Sequence, residues 1–154
     1  RIKFIADANV IKLGRLMILL GFDVCYSADY TDRQIADMDQ TQGRIVLTRD
    51  TDLLKRKKII FARRIKADLP YDQLRETIDF FGLEKLISFF SRCTGCNMKL
   101  AAIPKKEVLN VLEPKTKRYF NSFFQCPGCK NVFWKGSHYD NIRKKISSLG
   151  ISID

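Results

Sequence analysis

The sequence predicts an α/β fold, in which a small parallel sheet flanked by helices precedes a four-cysteine module and a C-terminal helix. Three observations support this class. Strand-like and helix-like patterns alternate over residues 1–90, as they do in parallel sheets that are covered on both faces. Two Cys-x-x-Cys motifs follow, beginning at Cys93 and Cys126. Aspartates stand directly after two of the predicted strands.

The N-terminal elements follow from hydrophobic spacing and from residues that cap helices. Apolar residues recur at helical spacing over residues 10–20, and Gly21 ends that helix. Thr31 and Gln34 have the spacing of a capping box, which predicts that a helix begins there. The predicted strands are 2–6, 22–26, 44–48 and 58–65, and the predicted helices are 10–20, 31–42, a short basic one from Thr51, and 71–81.

The pattern changes near residue 91, which predicts one domain over residues 1–90 and a second over residues 91–154. Cysteines, turn residues and three short β-like pieces (109–111, 123–124 and 132–134) dominate the second part. Ser137 is then predicted to be the N-cap of a last, basic helix. His138, the only histidine, is interpreted as a cap or packing residue rather than a ligand.

Composition narrows the classes of protein. No apolar run approaches the roughly 18 residues of a membrane helix, and no secretory signal is visible, so we expect a cytoplasmic protein. The net charge is +11 over 154 residues. Residues 91–154 carry 12 Lys and Arg against 4 Asp and Glu, whereas residues 1–90 carry 16 against 13. This basic C-terminal part favours a polyanionic partner such as RNA, and oligomeric state stays open.

The cysteines predict a structural zinc site. Two Cys-x-x-Cys turns together supply the four thiolates of a closed tetrahedral site, and such pairs without a secretory signal favour metal over disulfides. Cys25 lies apart in an apolar segment. The predicted zinc ligands are Cys93, Cys96, Cys126 and Cys129.

Four aspartates predict a second metal site, for Mg²⁺ or Mn²⁺. The carboxyl ends of parallel strands open onto one crevice, and carboxylates that converge there repel one another unless a cation lies among them. Taken singly, each could be a helix cap or a dipole partner; Asp37 and Asp39 are interpreted as lying on a solvated helix face. The predicted metal-binding and catalytic acids are Asp7, Asp32, Asp50 and Asp52, and the predicted RNA-binding residues are Arg15, Arg49, Lys55, Arg56, Lys130 and Lys135.

These motifs, in this order, resemble a known family, the Mut-seven C-terminal RNase domain. The resemblance covers nearly the whole chain. The sequence departs from the family pattern at residues 8–10 and 15–19. It rests on Asp7 with Leu13-Gly14-Arg15, Leu19-Leu20-Gly21-Phe22-Asp23, Leu47-Thr48-Arg49-Asp50, Arg92-Cys93-x-x-Cys96-Asn97, Cys126-x-x-Cys129 and Trp134-x-Gly136-Ser137-His138.

The resemblance implies a PIN-like nuclease domain joined to a zinc ribbon, and with it a metal-dependent ribonuclease that cuts RNA internally at the four aspartates. A non-catalytic adaptor, whose PIN-like half is a scaffold for binding RNA, a ribosome or another ribonucleoprotein, is the main alternative. A nuclease toxin controlled by a partner protein and a DNA nuclease are further alternatives. The intact set of acids favours the enzyme.

Overall fold

Four parallel strands form the central sheet of the N-terminal half. The structure is a computed structural model that describes residues 1–55 and 58–153. The sheet order is β2-β1-β3-β4, so the first strand lies between the second and third, and the parallel strands are joined by crossover connections. The strands are β1 (Lys3–Ala6), β2 (Asp23–Tyr26), β3 (Ile45–Thr48) and β4 (Ala62–Arg64).

Helices cover both faces of this sheet, which confirms the predicted α/β class. Because side chains alternate along a strand, Phe4 faces one core and Ile5 faces another. Phe4 packs in a cluster with α1 and α4, whereas Ile5 packs with Ile35 of α2 and Leu53 of α3. The four helices are α1 (Ile11–Leu19), α2 (Asp32–Gln42), α3 (Thr51–Leu54) and α4 (Pro70–Phe81).

The C-terminal half contains a small antiparallel sheet in the order β5-β6-β7. Its last helix packs on the first half: Ile146 is fully buried in the same cluster as Leu74 and Ile78 of α4. The two parts of the chain therefore share apolar contacts. The elements are β5 (Ala101–Ile103), α5 (Pro114–Tyr119), β6 (Phe123–Gln125), β7 (Val132–Phe133) and α6 (Ser137–Ser148).

The first Cys-x-x-Cys turn lies against β2, the edge strand of the parallel sheet. Asn97 accepts the backbone N–H of Val24 at 3.0 Å and donates to Asp23 at 2.6 Å. Asp23 also pairs with the buried Arg44 at 2.9 Å. Burial alone raises the pKa of Asp23, but the hydrogen bonds from Asn97 and Arg44 outweigh it, so the pKa lies below its ordinary value of 3.8. The turn thus covers an otherwise open sheet edge.

Some sequence predictions for the C-terminal half are wrong. Leu109–Val111 forms a 3₁₀ turn rather than a strand. The turn buries the flanking residues Val108 and Leu112 in one apolar cluster and leaves Leu109 and Val111 exposed. Gly136, not Ser137, is the N-cap of α6, since the chain is still extended at Gly136 and helical from the next residue. The strand β5 and the helix α5 were not predicted.

Asp39 is buried, at 1% exposure, although a solvated helix face was predicted for it. Its carboxylate accepts the backbone N–H groups of Ile60 at 2.6 Å and Phe61 at 2.9 Å. Those bonds satisfy two backbone N–H groups of the segment that leads into β4. They also give the buried carboxylate its hydrogen-bond partners, which explains why a charged group is buried here. The predicted capping box of Thr31 is confirmed. No helix among the described residues has both the length and the apolar character needed to cross a lipid bilayer.

Candidate active site and metal centre

Asp7 and Asp50 lie at the carboxyl ends of the neighbouring strands β1 and β3, and Thr48 links them. The Thr48 hydroxyl donates to Asp7 Oδ2 at 2.7 Å. The same hydroxyl oxygen accepts the backbone N–H of Asp50 at 3.0 Å. Asp7 is only 8% exposed, and Asp50 is half-buried. Two carboxyl groups are therefore placed at one edge of the sheet by a single buried threonine.

Asp7 is held by three hydrogen bonds and keeps part of its acceptor capacity. Its Oδ1 accepts the backbone N–H of Ala8 at 2.8 Å, and its Oδ2 also accepts the Asn9 amide at 3.3 Å. Asn9 in turn accepts the backbone N–H of Arg49 at 3.1 Å, which joins the loops after β1 and β3. A carboxylate has about four acceptor sites, so Asp7 can still contact a cation.

Asp50 is both a helix cap and a candidate ligand. Its Oδ1 accepts the backbone N–H groups of Asp52 at 2.8 Å and Leu53 at 3.4 Å, which makes it the N-cap of α3. Its Oδ2 has no hydrogen bond to any described residue. Asp52 points into solvent, with its side chain 88% exposed and 3.8 Å from Lys55. The cap therefore leaves one oxygen of Asp50 available.

Asp32 lies on the first turn of α2, which follows β2 on the other side of β1. The four aspartates thus lie in the segments that follow β1, β2 and β3, but they do not form a tight cluster. Within residues 1–55 and 58–153, the cysteines are the group of three or more ligating side chains whose ligand atoms lie within 4.8 Å of one another. A binding site at the aspartates would therefore be open and partly hydrated.

The four cysteines form a candidate zinc centre. In a tetrahedron with zinc–sulfur bonds of about 2.3 Å, neighbouring sulfurs are about 3.8 Å apart. The Sγ atoms of Cys93 and Cys129 are 3.8 Å apart. Within each turn one cysteine is fully buried and the other is exposed. The cluster brings together Cys93, Cys96, Cys126 and Cys129, the set that the motifs predicted.

The protonation of these thiols also suits a cation. The backbone N–H groups of Cys129 and Gly128 lower the pKa of Cys126 to about 7, so its thiolate is accessible at neutral pH. The hydrogen bond with Cys129 raises the pKa of Cys96 to about 12. Sulfurs this close cannot all ionise unless a positive charge lies among them, and Zn²⁺ supplies that charge in four-cysteine sites.

The predicted RNA-binding cations are scattered over the surface. Arg49 contacts the Ala67 carbonyl and pairs with Asp68 at 2.7 Å, so its guanidinium already has partners. Lys55 is paired with Asp52, and Arg56 lies outside the described residues. Arg15, Lys130 and Lys135 are exposed. The structure therefore leaves these three more available to a phosphate than Arg49.

Sequence reasoning missed Thr48 and Asn9, which orient Asp7. Their signal was present, since Thr48 directly precedes the Arg-Asp pair at 49–50 and Asn9 follows Asp7 by two residues. The sequence also predicted a cap or packing role for His138. His138 is exposed, and α6 has no side-chain cap hydrogen bond.

The parallel sheet flanked by helices, together with the four-cysteine cluster, defines a mixed α/β protein with a candidate metal centre in its C-terminal region. Comparison with protein families agrees: the model of the Mut7-C RNAse domain matches residues 2–146. The chain therefore belongs to this family, whose description indicates a nuclease or RNA-related role. Neither curated proteins nor solved structures gave a significant match.

Proposed function

We propose that this protein is a metal-dependent ribonuclease that cuts RNA internally at the acidic edge of its parallel sheet. The observation that carries the proposal is the link through Thr48, which holds Asp7 and Asp50 at the carboxyl ends of adjacent strands. Family membership supports RNA as the substrate. The excess of Lys and Arg over residues 91–154 supports a polyanionic partner.

The residues at this edge fit Mg²⁺ or Mn²⁺. Mg²⁺ keeps several waters and is commonly bound through only one or two carboxylates. Asp7 has remaining acceptor capacity, and Asp50 Oδ2 has no hydrogen bond to a described residue. When bound, the metal would activate a water for attack on phosphorus and offset charge on the leaving oxygen.

Each residue then has a distinct role. Asp7 and Asp50 hold the cation, and Thr48 orients Asp7 by donating to it. Asp32 and Asp52 add negative charge around the ion, with Asp52 in the more solvated position. The four cysteines hold a structural zinc, which leaves no open position for chemistry. Arg15, Lys130, Lys135 and Arg56 attract the RNA backbone, and Arg49 and Lys55, which already have acidic partners, contribute less.

The test is cleavage of labelled single-stranded RNA by zinc-loaded protein with Mg²⁺, with Mn²⁺ or with neither. The Asp7→Asn/Asp50→Asn double variant is compared with Asp37→Asn, which removes an exposed acid from α2. We expect cleavage only with metal. We expect at least a hundredfold loss in the double variant, because metal contacts of this kind stabilise the transition state by several kcal/mol. Asp37→Asn should keep its activity.

A non-catalytic adaptor that binds RNA or a ribonucleoprotein is the second candidate. One observation favours it: the aspartates lack the tight spacing of the cysteine cluster among the described residues. Folded wild-type protein that binds RNA and leaves it intact with both metals would establish the adaptor and overturn the ribonuclease. Equal cleavage by the wild type and the double variant would overturn the assignment of Asp7 and Asp50 as the acids that hold the metal.

A further inference from the structure

A cleft of about 450 Å³ is lined by residues that precede and follow Cys93 and by residues of α1, β7 and α6. It is formed where α1, the first Cys-x-x-Cys turn, β7 and the start of α6 meet. No acidic residue lines it among the described residues. Its volume falls within the range of about 300–1,000 Å³ that is typical of small-molecule sites. The aromatic side chains along it are Phe89, Phe90, Phe133, Trp134 and Tyr139.

Phe90 packs edge to face against two of these rings. Phe90 meets Tyr139 at 4.9 Å between ring centroids and 88° between ring planes. It meets Phe133 at 6.3 Å and 84°. All three side chains are half-buried rather than enclosed in a core. A planar ligand could therefore stack against them without the rings having to separate.

Phe90 has a left-handed backbone, with φ at 65°. This conformation is unfavourable for a bulky residue and persists only where the surroundings impose it. Here the Phe90 N–H donates to the Leu19 carbonyl at 2.8 Å, which fixes the backbone of Phe90 against the end of α1. The chain thus holds an aromatic residue in the cleft at the cost of backbone strain, at a position where glycine would be relaxed.

Two cations lie near the same cleft: Arg15 lines it, and Lys135 stands between the lining residues Trp134 and Gly136. Arg15 is exposed, and its guanidinium lies 5.6 Å from the ring centre of Tyr26. No described carboxylate is within ion-pair distance of Arg15. Lys135 lies 5.7 Å from the ring centre of Tyr139. Aromatic side chains beside cations that form no ion pair with a described residue suit a ligand that carries both a flat ring and a phosphate.

We propose that this cleft binds an unstacked nucleobase of single-stranded RNA, while Arg15 and Lys135 contact the adjoining phosphates. The inference rests on the proposed function in that RNA is taken as the ligand. It adds a substrate class, because a base inside a duplex cannot enter such a cleft without leaving the helix. Single-stranded RNA or a flexible loop is therefore the expected substrate.

Tyr26 connects the cleft to the acidic edge. Its backbone pairs with Ala6, the residue before Asp7. Its hydroxyl donates to the Thr94 carbonyl at 2.7 Å, and Thr94 lines the cleft. One tyrosine side chain thus reaches from the strand end to the cleft. This link through Tyr26 supports a path for single-stranded RNA from the cleft toward Asp7.

Trp134 is the only tryptophan and lines the cleft, so its fluorescence reports on occupancy. The zinc-loaded full chain is titrated, without added Mg²⁺ or Mn²⁺, with a short oligouridylate and with an abasic oligonucleotide of the same length. We expect saturable quenching by oligouridylate, with about fivefold or more weaker binding of the abasic chain. Equal affinity for both, or binding of oligouridylate without any change in Trp134 emission, would overturn the proposal.

Two tyrosine variants localise the site. Tyr139→Leu removes an aromatic ring from the cleft and keeps an apolar side chain, and Tyr119→Leu makes the same change at an exposed position on α5. We expect oligouridylate to bind Tyr139→Leu about five- to a hundredfold more weakly and Tyr119→Leu as it binds the wild type. Equal effects would refute the cleft. If Tyr139→Leu does not fold, the abasic comparison on the wild type still decides.

Cleavage is measured separately with metal added, so the two proposals can fail independently. Quenching by oligouridylate without cleavage under any condition would keep the base-binding cleft and remove the ribonuclease. Cleavage with equal affinity for abasic and base-containing chains would keep the ribonuclease and remove the base-binding cleft. If abasic and base-containing chains bind alike and a peptide displaces oligouridylate, the cleft would be assigned to a protein partner instead.

Discussion

Thr48 links Asp7 to Asp50. Its hydroxyl donates to the Asp7 carboxylate at 2.7 Å, and the same oxygen accepts the backbone N–H of Asp50 at 3.0 Å. It is fully buried at the end of β3. A buried hydroxyl that bridges a carboxylate and a backbone amide positions both groups and can contribute to activity without touching RNA.

Thr48→Val tests this positioning role. The variant keeps the shape of the side chain but leaves the Asp50 N–H without its partner and Asp7 Oδ2 with the Asn9 amide alone. We expect cleavage to fall about tenfold or more and the free energy of unfolding to fall by about 1–3 kcal/mol. Thr48→Ser keeps the hydroxyl and should restore most of the cleavage. A Thr48→Val protein with wild-type kcat would show that Asp7 needs no such support.

The acids should differ in importance according to their exposure. Asp7→Asn removes an acid that is 8% exposed, whereas Asp52→Asn removes one whose side chain is 88% exposed and near Lys55. Because solvent screens an exposed charge, we expect a loss of at least a hundredfold for Asp7→Asn and less than about tenfold for Asp52→Asn. The measurement is kcat as a function of Mn²⁺ concentration. Equal losses would place both residues in direct contact with the ion.

The cysteine cluster should hold one zinc ion per chain. Cys126→Ser removes a buried ligand, so we expect loss of zinc by elemental analysis, a lower Tm and a change in Trp134 emission. Cys25→Ser, outside the cluster, is the matched control and should keep its zinc. Retention of stoichiometric zinc by Cys126→Ser would contradict the four-cysteine assignment.

Asp23 should stabilise the contact between the first Cys-x-x-Cys turn and β2. Asp23→Asn leaves the buried Arg44 without its charged partner, and we expect a loss of about 2–3 kcal/mol in the free energy of unfolding. Asp79→Asn, which breaks the exposed pair with Arg75, should cost less than about 0.5 kcal/mol. Urea denaturation of both variants makes the comparison.

The pH dependence of the Asp23 contribution has a definite sign. The pKa of Asp23 is lowered by folding, so the stabilisation is present above its ordinary value of 3.8 and is lost as the pH falls through the folded pKa. The difference between the wild type and Asp23→Asn should therefore be constant from about pH 5 to 8. A difference that changes within this range would assign the effect to another titrating group.

Local patterns were sufficient for most of the N-terminal half. The capping box of Thr31 and the helical spacing over residues 10–20 depend on near neighbours, and both elements formed where they were predicted. The burial of Asp39 was not predictable in this way. Its hydrogen-bond partners, Ile60 and Phe61, lie about twenty residues further along the chain. In the C-terminal half, where strands are two or three residues long, neither β5 nor α5 was predicted.

The sequence by itself determined the α/β class, the cysteine ligand set and the order of the acids after the strands, because each depends on periodicity or on a short spacing. Tertiary structure alone decided that Thr48 joins Asp7 to Asp50, that Asn97 pairs with Asp23 at the sheet edge, and that five aromatic residues from separate segments line one cleft. These relationships join residues that are far apart along the chain. They depend on strand order and on the packing of α6, which no local pattern encodes.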